Sequence, residues 1–311
     1  AHYARAAEVV PQAATELRWA YGLQHAESLR QRGHLFNEPS ALREAVRLLE
    51  TSVLALAPRE TRPVDWARTR LALGWARIRL GERGEDTARL AERDLTASAG
   101  AYAAVGDAVG QARALRALAT VYLGQGERGE SGMLERSVAT FEAALALIDR
   151  NTSPADWAVT QNNLGNAFRN LGETDQALAA YEAALTVRTR EADPVGWAQT
   201  QHNIGTTLTY AGLPEQAVVA LEAALTVRTR DTDPASWAAT QNELGLAFWA
   251  QSAGNADALV RAIEAFEAAL AIRTREVDPA GFALTHTNLG RALAALGEGG
   301  APGALERAIE S

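Results

Sequence analysis

The sequence predicts an all-α fold, an α-α superhelix of stacked antiparallel helix pairs, and three observations predict it. The first is self-similarity. The segment Pro-Ala-Asp-Trp-Ala-Val-Thr-Gln-Asn-Asn-Leu-Gly at 154–165 returns in edited form at 194–205, at 234–245 and, with Phe282 in the Trp place, at 279–290. An earlier copy at 63–74 has Trp66 in register, and a degenerate one between carries Gln111 and Ala119 at the Trp and Gly places. The markers at 66, 111, 157, 197, 237 and 282 stand 40 to 46 residues apart, which is the period of a solenoid rather than of an enzyme domain. The second is a recurrent helix-start signal, Ser153-Pro154, Asp193-Pro194, Asp233-Pro234 and Asp278-Pro279. Ser or Asp can cap the first free amides, and Pro at the first helical position gives up an N–H that has no partner there anyway. The third is a Gly between two amphipathic runs in each period.

One period, 153–192, shows how the elements follow. Helix A starts at Pro154, takes Asp156 into its positively polarised first turn, and runs to Leu171. Gly172 is expected to end it in the left-handed conformation, with Gly81, Gly124, Gly212 and Gly297 in the same role. Helix B spans 175–190, and Ala177, Leu178, Tyr181, Ala184 and Leu185 fall on one face of a 3.6-residue helix. It is expected to continue through the Arg-Thr-Arg segment (Arg188/Arg190, Arg228/Arg230, Arg273/Arg275), whose cations suit a helix C-terminus and a solvated place. A two-helix hairpin cannot bury its apolar faces alone, so each needs its neighbours. The Trp residues recur with the structural period and are expected to pack helix A against the preceding helix B. Extra residues at 126–132 and 253–256 lengthen two of the A–B connections.

The array is expected to fill 1–311, about six or seven helix pairs by this period. Residues 1–62 form a divergent first repeat, 63–150 two degenerate ones and 151–301 the regular ones. Residues 302–311 repeat the opening of an earlier B helix and are expected to start a truncated helix, so the chain reads as a fragment of a longer repeat protein. Such an end would leave an apolar face open to self-association.

Composition narrows the function. The formal charge is −8, which argues against a general nucleic-acid or membrane-surface binder. Binding of RNA along the Arg series would show a steep salt dependence. There is no Cys, so disulfides and thiolate sites are excluded. No apolar run nears the ~20 residues of a membrane helix, no signal peptide is visible, and a cytoplasmic location is expected. The five His are scattered, and no His-Glu-x-x-His, nucleophile elbow or phosphate loop occurs. No enzyme, catalytic residue, metal or cofactor is expected. Every one of the 30 basic residues is Arg, whose planar fork can hold a carboxylate by two bonds.

The residues Leu164-Gly165, Phe168, Ala177, Tyr181 and Ala184, and again Ile204-Gly205, Leu208, Ala217, Leu221 and Ala224, resemble the tetratricopeptide repeat. The repeats are longer than that family's usual unit, and Gln161, Gln201 and Gln241 hold the family's Trp position while Trp stands four residues earlier. The Asn-Asn-Leu-Gly run and the long period are most similar to the kinesin-light-chain type found in bacterial proteins.

The resemblance implies a binding groove lined by helix A positions two, five, six, nine and twelve, with Leu-Gly as seven and eight. Counted so, the groove holds Arg68 in the first A helix and Arg113 and Arg116 in the next. It continues with Asn162, Asn163, Asn166 and Arg169, then His202, Asn203 and Thr206, then Asn242 and Glu243, then Thr287, Asn288 and Arg291. Leu71, Trp75, Leu246 and Trp249 share these positions. Asn offers donor and acceptor to an extended peptide backbone, and five Arg against one Glu favour an acidic segment or a chain-terminal carboxylate. Alternatively the Asn side chains bond across adjacent helices and the Arg side chains are merely solvated. Two functions are expected: a scaffold binding an acidic peptide or protein segment, or the sensor arm of a larger signalling or defence protein such as a signalling ATPase or a caspase-like protease.

Overall fold

In a computed structural model the described residues are 10–11, 14–35, 38–253 and 255–298. They form thirteen α-helices and, among the described residues, no strand. They divide between Leu171 and Gly172 into two units. Unit 1 holds α1 (Thr15–Leu35), α2 (Pro39–Leu48), α3 (Pro63–Gly81), α4 (Ala88–Ala104), α5 (Ala108–Glu127), α6 (Met133–Leu145) and α7 (Pro154–Leu171). Unit 2 holds α8 (Thr174–Leu185), α9 (Pro194–Tyr210), α10 (Pro214–Leu225), α11 (Pro234–Ala250), α12 (Ala256–Leu270) and α13 (Pro279–Glu298). None of these helices is long and apolar enough to cross a membrane. Residues 302–311, expected to start a truncated helix, lie outside the described residues.

Within each unit every helix packs on the next one, and each A helix also touches the next A helix: α3 on α5 and α5 on α7 in unit 1, α9 on α11 and α11 on α13 in unit 2. The Leu-Gly pair sets how close A and B helices come. A Cβ on Gly205 would lie 2.5 Å from Leu221, and one on Gly245 would lie 2.6 Å from Phe266. The missing side chain is the seat of the B-helix residue. Around these contacts unit 2 builds one core from Leu208, Leu221, Leu244, Phe248, Ile263, Phe266, Leu289 and Leu293. Unit 1 has smaller cores, one around Leu49, Val53 and Leu73 and another around Leu95, Leu118 and Tyr122.

The three Asp-Pro helix starts follow the expected chemistry. The Asp193, Asp233 and Asp278 side chains accept from the amides of Gly196, Ser236 and Gly281 at 2.9, 3.1 and 2.9 Å. Helix ends do not all follow it. Gly172 and Gly212 are left-handed, at φ 80° and 75°, whereas Gly81 closes α3 as a helical residue and Gly124 and Gly297 lie inside α5 and α13. Gly84 and Gly129, both at φ 85°, take the left-handed role there, because the helices run on past the first available Gly.

The B helices are also shorter than expected. They stop at Leu185, Leu225 and Leu270, and the Arg-Thr-Arg segment folds into turns. Its first Arg is not solvated. Arg188 is only 7% exposed, and its Nη1 donates to Thr200 Oγ1 at 3.4 Å. Arg228 donates to Thr240 and Arg273 to Thr285, each at 3.0 Å. Burial draws the Arg188 and Arg228 guanidiniums below the usual arginine range, and Asp193 and Asp233 oppose it. The second Arg lies over an aromatic ring: Arg190 over Trp197 at 5.8 Å and Arg275 over Phe282 at 5.3 Å. In unit 1 Arg150 covers Trp157 at 5.7 Å, and that Trp packs beside Ala112, Ala144 and Ile148.

Candidate functional site

The A helices of unit 2 bring His202, Asn203 and Thr206 (α9), Asn242 and Glu243 (α11), and Thr287, Asn288 and Arg291 (α13) to the faces predicted for binding. Not all of them are presented. Asn203, Asn242 and Asn288 are buried, and Asn288 Nδ2 donates to Asn242 Oδ1 at 3.2 Å. Asn242 Nδ2 in turn donates to Glu243 Oε1 at 3.2 Å. These amides satisfy one another where two A helices meet, as a buried polar group must. Between the two expectations for Asn, bonding across adjacent helices holds for this pair. Thr206 is buried too, and no described residue bonds its Oγ1. His202 is half-buried with Nδ1 3.2 Å from Thr240 Oγ1. That hydroxyl already donates to the Ser236 carbonyl, so Nδ1 is the donor in this contact. Thr287 and Arg291 are exposed, and the Arg291 guanidinium lies 5.5 Å from the Trp249 ring.

Unit 1 differs. On α7 Asn162 is buried, its Nδ2 donating to Asn163 Oδ1 at 3.3 Å, while Asn163, Asn166 and Arg169 are half-buried. Arg68 on α3 is exposed and sits 5.7 Å from the Trp19 ring. Arg113 and Arg116 on α5 converge on one acceptor, Asp156 of α7. Arg113 reaches Asp156 Oδ2 with Nε at 2.8 Å and Nη2 at 2.7 Å, and Arg116 Nη1 reaches Oδ1 at 3.3 Å. The bond to Asp156 holds the Arg113 pKa above its ordinary value. On α3, Trp75 and Arg79 line an open pocket of about 390 Å³ with Glu27 and Arg30 of α1.

Residues 156–230 match the tetratricopeptide repeat family. That stretch carries tetratricopeptide repeats. Solved structures agree on the fold. BtubC (BKLC) from P. vanneervenii superposes with a TM-score of 0.53 at 19% identity, over 84% of this chain and 91% of that one. The apo quorum sensor NprR from B. thuringiensis superposes with a TM-score of 0.58 at 15% identity, over 97% of this chain and 89% of that one. No curated protein sequence matches this one.

Two features of the repeat array are not legible in the sequence. Asp156 reads in the sequence as a first-turn charge, yet it ties two A helices together. A cleft of about 1000 Å³ also opens in unit 1 between the α3–α4 connection and the end of α5, lined by Glu82, Glu85, Asp86, Arg89, Glu127 and Arg128 among others. The Gly-rich connections were the only sequence signal for it. Among the described residues no group of three or more His, Asp or Glu could hold a metal ion.

Proposed function

We propose that this chain is a non-enzymatic protein-interaction scaffold whose A-helix face in unit 1 binds an extended acidic peptide or protein segment. One observation carries the reading: Arg68, Arg113, Arg116 and Arg169 stand at the family's ligand-facing positions on three successive A helices that touch one another. They do so in a chain whose formal charge is −8. Guanidiniums so arranged meet successive carboxylates with charge-assisted, two-pronged bonds. The half-buried Asn163 and Asn166 amides lie on the same helix as Arg169 and can bond the peptide backbone. In unit 2, taken by itself, Thr287 and Arg291 are exposed at the corresponding repeat positions, while Asn203, Asn242 and Asn288 are buried in helix packing. Selection from a displayed peptide library on the native chain beside the R68A/R113A/R169A variant tests the proposal. Enrichment of acidic or C-terminal-carboxylate sequences on the native chain alone is expected. Equal enrichment on both proteins contradicts it.

The second reading, a sensor arm of a larger signalling or defence protein, is compatible with the first because a sensor arm also binds a ligand. Its support is the Trp-Ala-x-Thr-Gln-Asn-Asn-Leu-Gly array. The complete open reading frame decides it: a fused ATPase or protease domain is expected, and a frame holding repeats alone contradicts it.

A further inference from the structure

In unit 2 the joint before each A helix is built from the same three places. Arg188, Asp193 and Gly196 recur as Arg228, Asp233 and Ser236, and as Arg273, Asp278 and Gly281. The Arg turns inward onto a buried Thr and the Asp caps the helix. At the first joint the third place is Gly, where a Cβ would lie 2.1 Å from Asp193 Oδ2 and 2.9 Å from Arg188 Nε. Gly281 is as tightly enclosed, at 2.0 Å from Asp278 and 2.9 Å from Arg273. Before α7 all three places change together, to Ile148, Ser153 and Asp156. Ile148 is buried and brings no cation. The carboxylate has moved from the capping place to the third one, where it meets Arg113 and Arg116 of α5.

The three unit 2 joints show that an A helix starts and docks without a carboxylate at this place. Asp156 is therefore not a requirement of the repeat. Its side chain is 16% exposed, that of Arg116 is 14% exposed and that of Arg113 is 52% exposed, so the ion cluster is open to solvent on the Arg113 side.

We infer that Asp156 is an internal competitor for the anion site formed by Arg113 and Arg116, holding with the chain's own carboxylate the two guanidiniums that an acidic segment engages. The inference rests on the acidic-segment reading above. Exchange of one carboxylate for another leaves no guanidinium unpaired, but it releases Asp156, whose side chain is 16% exposed and must turn toward solvent, a cost the incoming segment has to exceed. A single stray carboxylate gains little by it, because it merely replaces an equivalent bond held intramolecularly. A segment with several acids gains elsewhere on the face, from Arg68 and Arg169. Asp156 thus sets a threshold that favours runs of acidic residues over isolated ones.

The test uses a fluorescently labelled oligo-glutamate peptide and the full chain, comparing native protein with D156N and with D156S, the latter copying Ser236. Both variants are expected to bind about tenfold more tightly at low salt, where charge-assisted bonds are strongest. Removal of Arg113 separates freed guanidiniums from a general change of charge. R113A is expected to cost about twofold in the native background and about tenfold in D156N, a non-additivity that measures the coupling. Thermal melting of each variant confirms the fold, and D156S serves if D156N does not fold. Native and variant proteins of equal affinity, or additive R113A effects, overturn the inference and leave the scaffold reading standing. Binding by none of them overturns the acidic-segment reading, and the inference with it.

Discussion

The two units of this chain use one repeat design and place their charges differently. In unit 2 a guanidinium is buried or half-buried at each joint, bonded to a Thr hydroxyl beside a capping Asp, and the α11–α13 contact is made by Asn amides. In unit 1 the cations stand on the A-helix face, and the buried charge lies deeper. Asp94 of α4 is fully buried and pairs with Arg70 at 2.5 Å and with Arg77, which also pairs with Glu50. Burial draws both guanidiniums below the usual arginine range. The repeat tolerates charge wherever a counter-charge or acceptor is built in, so the face a repeat offers can change while its stacking does not.

The difference can be broken from the unit 1 side most strongly. D94N should cost about 3–5 kcal/mol, because it leaves the buried Arg77 with only the exposed Glu50 as counter-charge. Chemical denaturation should show the loss in the transition of unit 1 and little change in that of unit 2. In unit 2, R228A should cost about 1–3 kcal/mol by leaving Asp233 and the Thr240 hydroxyl without their cationic partner. N242A, which strips Asn288 of its acceptor, should cost about as much. Replacement of both by Ala, Asn242 with Asn288, should cost less than the sum of the two single changes, as measured by a denaturation cycle.

The smallest effect concerns alkali. Tyr122 donates to Glu92 Oε1 at 2.9 Å in unit 1, and burial first, then that bond, raise its pKa to about 12. A phenol whose folded pKa is raised favours the folded state below the unfolded value near 10 and loses that contribution as pH climbs toward 12. Stability of unit 1 should therefore fall across that window in the native chain and fall less in Y122F. Ultraviolet titration of the phenolate reports the same step.

Much of this was legible in the sequence. The period, the Asp-Pro starts and the Leu-Gly seats are local rules repeated often enough to be read. What stayed hidden depends on tertiary partners or on fine helix phase. Arg188 reads as a helix-end cation until Thr200 is seen as its acceptor. Gly81 and Gly84, or Gly124 and Gly129, compete for one left-handed role, and only the length the helix attains decides between them. The Asn residues show the limit best. The buried one is at position six in α9 and α13 (Asn203, Asn288) but at position five in α7 and α11 (Asn162, Asn242). Neighbouring positions differ by about 100° around a helix, so a repeat motif alone cannot say which amide faces a helix and which faces a ligand. For the candidate site the residue types were readable, whereas the Asp156 counter-charge required the fold.

The most direct measurement is a titration of oligo-glutamate peptide into the native chain and into R68A/R113A/R169A, repeated over a series of salt concentrations. Binding by the native chain is expected to weaken steadily with salt, and binding by the variant to be at least about tenfold weaker with a flatter salt response. Equal affinity and equal salt response in the two proteins would contradict the acidic-segment reading.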